Sequence, residues 1–249
     1  MPTRPTKILP LLLDKKAKGE KMFAVLIDPD KADEKHLAEV VALSKQHSVD
    51  FFFVGGSHIT TQHLARVVSY CKAYSSIPVV LFPGNSSGID EGADALLYLS
   101  LLSGRNPEYL IGKHVASASM LKNSLLEIIS TSYLLIDGGR QTTASYISGT
   151  IPIPSDKPEI AASTAFAGQL MGHHIVFLDC GSGAEKTIST EMVEKVKNWI
   201  DLPLLCGGGI DTADKAAQMW QAGADLVVVG NAIEQHPALI KDIAHRKAS

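Results

Sequence analysis

Two glycine-rich turns near the end of the chain, GGGID at 207–211 and VVVGN at 227–231, are the residues best suited to chemistry. Each closes a run of apolar residues, and their starts lie twenty positions apart, from 207 to 227. Backbone N–H groups can hold an anion only where the chain approaches closely and turns sharply; a Cβ would obstruct this, so glycine is needed at the contact. A helix that starts just after such a turn adds unpaired N-terminal donors and the positive end of its dipole. Thr212 or Asp211 can cap a helix over 213–222, and Ala232 opens another after Asn231. One such turn alone is better read as a tight strand-to-helix connection. The pair, at this separation, is how the last two strands of a (β/α)8 barrel hold a phosphate monoester.

Acidic residues close other apolar runs. In FLDCGSGA, 177–184, Asp179 stands directly before a Gly-Ser-Gly turn, so one ligand can meet the carboxylate through a hydroxyl and the turn through a phosphate. Ser182 and Gly183 would then donate to the same phosphate as Gly208, Gly209, Gly230 and Asn231. Well-aligned charge-assisted donors contribute roughly 1.5–3 kcal/mol each, so several can retain a small monoester. In LIDPDK, 26–31, Asp28 ends a strand and can project into a barrel mouth, where a carboxylate opposite phosphate suits Mg²⁺. Asp30 reads as a cap for the next helix, and Ser57, after VGG, reads equally well as a cap or as a metal-site hydroxyl. Arg140 is as readily a loop arginine as an anion contact, and of the nine histidines only His58 and His114 fall near the mouth. No lysine inside a strand offers Schiff-base chemistry.

These residues need a scaffold that brings strand ends together. Short apolar runs at 22–28, 50–56, 78–84, 95–102, 133–138, 174–180, 203–209 and 226–231 read as eight buried parallel strands. Helical patterns at 33–47, 60–74, 117–129, 158–171, 190–200 and 212–221 separate most of them, which implies right-handed crossovers. The predicted fold is an α/β (β/α)8 TIM barrel, one domain over 1–249 with an N-terminal extension at 1–20. NSSGIDEGAD, 85–94, is too short for a helix with its turns, so strands 3 and 4 are expected to lack one, leaving a gap that can admit a long apolar ligand or be covered by a loop or another subunit.

Composition removes several classes of function. With 23 basic and 26 acidic side chains the net charge is −3, and no basic stripe with interleaved aromatics invites nucleic acid. Cys71, Cys180 and Cys206 lack metal or redox spacing and read as buried packing in a reducing, cytoplasmic compartment. The apolar stretch at 8–13 is too short for a secretory core, and the longest apolar runs have strand length, so no transmembrane segment is expected.

Taken in order, LIDPDK, DFFFVGGSHIT, PVVLFPGNSSGID, NPEYLIGKH, FLDCGSGA, CGGGID and ADLVVVGNAIE closely resemble the geranylgeranylglyceryl phosphate synthase family, whose bacterial relatives include heptaprenylglyceryl phosphate synthase. The resemblance runs from about Phe23 to Glu234. It implies a modified TIM barrel, one helix short, that joins sn-glycerol 1-phosphate to a polyprenyl diphosphate through an ether bond and releases diphosphate with Mg²⁺ bound. By that likeness the metal positions fall on Asp28 and Ser57, and the glycerol phosphate site on Phe177, Leu178, Asp179, Cys180, Gly181, Ser182, Gly183, Gly208, Gly209, Gly230 and Asn231, with Asp179 as base. It also implies a homo-oligomer and transient membrane contact. The family commonly carries tyrosine and glutamate where this chain has Phe177 and Asp179, so a phenol is missing and the carboxylate is one methylene shorter. Two other readings stay open at this level: an isomerase or lyase for a small phosphorylated metabolite, and a non-catalytic barrel that binds a lipid precursor.

Overall fold

The computed structural model describes residues 7–56, 61–84 and 88–247, with the backbone alone at 61 and 62. Eight parallel strands form a closed barrel in sequence order: β1 (Met22–Ile27), β2 (Phe51–Gly56), β3 (Val79–Pro83), β4 (Ala95–Leu101), β5 (Glu127–Leu135), β6 (Ile175–Asp179), β7 (Leu204–Gly207) and β8 (Leu226–Val229). β8 returns to pair with β1, so no edge is left unpaired. Around it lie α1 (Ile8–Ala17), α2 (Glu34–Gln46), α3 (Thr61–Tyr74), α4 (Lys113–Leu121), α5 (Thr143–Ser148), α6 (Pro158–Leu170), α7 (Thr190–Lys197), α8 (Ala213–Gln221), α9 (Asn231–Gln235) and α10 (Leu239–Lys247). A π-helical turn, Glu108–Gly112, runs directly into α4. The fold is the expected TIM barrel, and the described part of the β3–β4 connection, 88–94, contains no helix.

Strand 5 differs from the sequence expectation. The helix expected over 117–129 ends at Leu121, and the strand expected from 133 already begins at Glu127. Ile128, Ile129 and Thr131 are β-branched and prefer the pleated surface, and β5 is matched to β4 from Ala95↔Glu127 to Leu101↔Tyr133. Alternation along β6 directs Phe177 into the barrel with Phe82 and Tyr133, whereas Leu178 and Cys180 join the outer layer beneath the helices.

A recurring device fastens the strand N-termini. Asp50, just before β2, accepts from Phe23 N–H of β1 at 2.8 Å and pairs with Lys15 at 2.7 Å and Lys247 at 2.8 Å. Asp94, before β4, accepts from Val79 N–H of β3 at 2.8 Å and pairs with Lys72 at 2.6 Å. Asp225, before β8, accepts from Leu204 N–H of β7 at 2.8 Å and pairs with Lys197 at 2.7 Å. Each carboxylate satisfies a donor in the first two residues of the preceding strand, and lysine balances its charge. This end is built for stability, as barrel bases commonly are.

Helix α1 completes the base. Ile8 and Leu12 pack with Met22, Ala24, Phe51 and Ile129 inside the barrel. Its N-terminus has no cap from its own sequence. Instead Glu127 accepts from Ile8 N–H and, at 3.2 Å, from Leu9 N–H. This remote acid supplies both missing partners and meets the positive end of the dipole. Glu127→Gln is expected to lower unfolding free energy by roughly 1–2 kcal/mol without altering the fold. Urea unfolding followed by far-UV circular dichroism measures this, and an unchanged midpoint would mean that α1 is held by its apolar face alone.

Candidate active site

The C-terminal ends of the strands enclose a cleft of about 1520 Å³, open mouth included. It is lined by Asp28, Asp179, Gly181, Ser182, Gly183, Gly208, Gly209, Gly230 and Asn231, among others. Asp28 from β1 and the turns after β6, β7 and β8 therefore share one cavity. Phe177 also lines it, whereas Leu178 and Cys180 face the outer layer, and the Cys180 N–H is already committed to the Gly207 carbonyl at 3.1 Å. Ser57 and His58 lie outside the described residues.

Asp179 is buried at the last position of β6, and both of its oxygens are engaged. Oδ1 accepts from Gly181 N–H at 2.8 Å, and Oδ2 accepts from the Tyr133 hydroxyl at 2.6 Å. Burial raises the carboxyl above its ordinary range, against the lowering effect of Tyr133 and Gly181. A raised carboxylate with lone pairs still available is a better proton acceptor than an ordinary aspartate. Burial, then the neighbouring Asp179 charge, pushes the Tyr133 phenol well above its usual value, so it stays protonated and donates.

Tyr133 is the residue that sequence reasoning missed. It stands beside Phe177 in the β5–β6 register and touches its ring edge-on, with centroids 5.8 Å apart. Position 177 offers no hydroxyl, and the neighbouring strand supplies one to the carboxylate. No local pattern marks this, because the partners are 46 residues apart and meet only through strand pairing.

The β7 turn requires glycine in a literal sense. Gly208 has φ of +81°, and a Cβ there would sit 2.6 Å from Cys180 N and 2.7 Å from Asp179 Oδ1. Gly209, at +68°, would drive a Cβ into the Lys186 carbonyl. These two turns are packed backbone to backbone, which brings the β6 and β7 loops under one ligand-sized space. Across the mouth, Ser182 Oγ donates to Asn231 Oδ1 at 2.9 Å, tying the β6 turn to the start of α9. Thr212 caps α8 by accepting from Lys215 N–H at 3.2 Å.

On the opposite side Asp28 Oδ1 accepts from Asp30 N–H at 3.1 Å, and Oδ2 lies 3.1 Å from Lys31 Nζ. Lys31 also meets Glu234 at 3.2 Å. Burial works against its charge, but Glu234 and Asp28 together hold the ammonium above the ordinary lysine range. No cluster of three His, Cys, Asp or Glu side chains suited to a metal occurs among the described residues. Mg²⁺ takes one or two carboxylates and completes its shell with phosphate oxygens and water, so the partly exposed Asp28 suits it once Lys31 gives up Oδ2.

A second cavity of about 870 Å³, open mouth included, adjoins the cleft. It runs past β3 and β4, where the helix is missing, and beneath the π-turn, α4 and α5; Leu96, Leu97, Leu99, Leu101 and Ile147 make its wall apolar. Gly56, Phe82, Tyr133 and Ala144 line both cavities, so the polar and apolar spaces meet beside the Tyr133–Asp179 pair. The three cysteines are buried and free, and burial pushes Cys71 up to about 12, which leaves it inert.

A strand-end cleft of this kind, with a buried carboxylate, defines a (β/α)8-barrel enzyme. Residues 15–247 match the PcrB family. A geranylgeranylglyceryl phosphate synthase from Chitinophaga pinensis is 53% identical, over 96% of this chain and 94% of the relative, and one from Pyrococcus abyssi is 40% identical, over 92% and 90%. Among solved structures, (S)-3-O-geranylgeranylglyceryl phosphate synthase from Thermoplasma acidophilum, in complex with its substrate sn-glycerol-1-phosphate, superposes with a TM-score of 0.91 at 32% identity, covering 97% of this chain and 98% of that one. The chain belongs to the PcrB family of geranylgeranylglyceryl phosphate synthases.

Because the Tyr133 hydroxyl favours the charged form of Asp179, Tyr133→Phe is expected to raise the Asp179 pKa further. Titration of the Asp179 carboxyl carbon by NMR reads this directly. An unchanged or lower midpoint would mean that the phenol does not hold the carboxylate.

Proposed function

We propose that this protein joins sn-glycerol 1-phosphate to the first carbon of a polyprenyl diphosphate through an ether bond, releasing diphosphate. The observation that carries the reading is the meeting of a glycine-turned polar cleft with an apolar cavity beside a buried carboxylate. A chemistry that unites a small polar phosphate with a long apolar chain needs both spaces to open on one point.

Main-chain donors around Ser182, Gly183, Gly208, Gly209, Gly230 and Asn231 hold the glycerol phosphate, leaving its hydroxyl toward Asp179. The bond between the prenyl C1 and the diphosphate oxygen breaks, and the diphosphate keeps the electron pair. The glycerol oxygen bonds to C1, and its proton passes to Asp179. That proton becomes acidic only as the new bond forms, so a carboxylate of modest basicity suffices. The apolar wall keeps water from reaching the allylic carbon first. Asp28, with Ser57, would hold Mg²⁺, whose contribution is to neutralise the departing diphosphate. No helix among the described residues is long and apolar enough to cross a membrane, so contact with a bilayer, where prenyl substrates reside, would be peripheral. Exposed Ile111, Val115, Tyr146 and Ile151 support self-association as the means of covering apolar surface.

Incubation with labelled sn-glycerol 1-phosphate and a ladder of prenyl diphosphates, with and without Mg²⁺, is expected to yield the ether product by mass only when metal is present. Turnover of a small phosphorylated substrate in chelator, without prenyl donor, would overturn the reading. Asp179→Asn is expected to lower turnover by roughly 10²–10⁴-fold with the fold retained; wild-type rates would remove Asp179 from the mechanism. Asp28→Ala is expected to abolish turnover with little change in glycerol phosphate affinity by calorimetry, and the reverse pattern would reassign it to the phosphate site.

A further inference from the structure

Among the described residues that line the apolar cavity, Lys113 is the one lysine, arginine, aspartate or glutamate. It opens α4 directly after the π-helical turn, a distortion found often at functional sites. Its ammonium donates to the Gly84 carbonyl at 3.1 Å and lies 3.8 Å from the centre of the Tyr109 ring. Both partners are neutral. An ammonium has three donors, and a carbonyl and a ring face leave at least one for a further acceptor. Lys113 is only partly buried, so the free donor can reach a ligand that enters the cavity.

The position is specific. Gly84 follows Pro83, which pairs in register with Gly56, and Gly56 lines both the apolar cavity and the polar cleft. The ammonium is therefore held in the apolar cavity close to Gly56, which both spaces share, and Leu96, Leu97, Leu99 and Ile147 suit the remainder to a hydrocarbon chain. A ligand with an apolar tail in the cavity and an anionic head near Gly56 would meet Lys113 with its head.

We propose that Lys113 binds the diphosphate of the prenyl substrate and of the released product, an inference that rests on the prenyl-transfer reading given above. As the C1–oxygen bond breaks, negative charge grows on the diphosphate, which retains the electron pair, and the Lys113 ammonium neutralises part of it. Its tether to the Gly84 carbonyl sets where the head stops and hence where C1 comes to rest relative to Tyr133.

The test uses the full chain with Lys113→Gln, Lys113→Met and Lys113→Arg. Glutamine keeps a donor for the Gly84 carbonyl and loses only the charge. If Lys113 binds diphosphate, Lys113→Gln should raise KM for geranylgeranyl diphosphate and weaken inhibition by inorganic pyrophosphate, each by about tenfold or more. KM for glycerol phosphate should not change, and Lys113→Arg should recover part of the loss. If Lys113 only staples α4 to β3, Lys113→Gln will match wild type and Lys113→Met alone will lower Tm, which overturns the inference. Calorimetric titration of wild type and Lys113→Gln with pyrophosphate and Mg²⁺ reads the contact without turnover. Weaker binding by Lys113→Gln upholds it, and equal binding overturns it. Absence of ether product from the wild-type protein would instead count against the prenyl-transfer reading.

Discussion

Closure of eight parallel strands governs everything else in this molecule. Every strand runs the same way, so one end of the ring collects all the strand starts and the other all the strand ends, and each end can be specialised. The starts carry Asp50, Asp94 and Asp225, each answering a donor at the start of the strand before it and each neutralised by lysine. The ends carry glycines with left-handed backbone, a buried aspartate and a partly exposed one. Groups with awkward conformations or unfavourable charge at the mouth can persist because the base and the layer between sheet and helices hold the ring shut.

The mouth joins two environments that ordinarily exclude each other. Asp179 resides in a place that disfavours its charge, yet it is held by one phenol and one amide, so its direction is fixed while its basicity is enhanced. The apolar cavity begins at the same phenol. Phe177 itself has no hydroxyl to offer, yet the carboxylate beside it is ordered. Tyr133 reaches it from the adjacent strand, and the edge-on packing of Tyr133 against Phe177 sets the ring plane that makes this reach possible.

What was legible in the sequence follows from how local each constraint is. Gly208 and Gly209 announce themselves because their backbone conformation and close packing exclude any side chain. The gap between β3 and β4 was visible because a helix has a minimum length. Tyr133 was invisible because its meaning depends on a register that aligns it with Phe177, and register is decided by all eight strands together. The start of β5 was misread for a related reason: Glu127 to Ile129 read as the end of a helix, and only pairing with β4 makes them extended. The short helix α5 left no periodic signal strong enough to stand apart from loop, whereas the start of α9 was marked by the glycine turn before it.

The capping of α1 by Glu127 has a consequence for how the chain is made. The helix is synthesised before its partner, because the carboxylate that completes its N-terminus lies 119 residues downstream. Until β5 exists, Ile8 and Leu12 have no finished hollow to enter, and the first turn of the helix has no acceptor. During translation the native cap of α1 can therefore form only after the first five of the eight strands have begun to be made. Its docking is a late event that registers whether the ring has formed correctly.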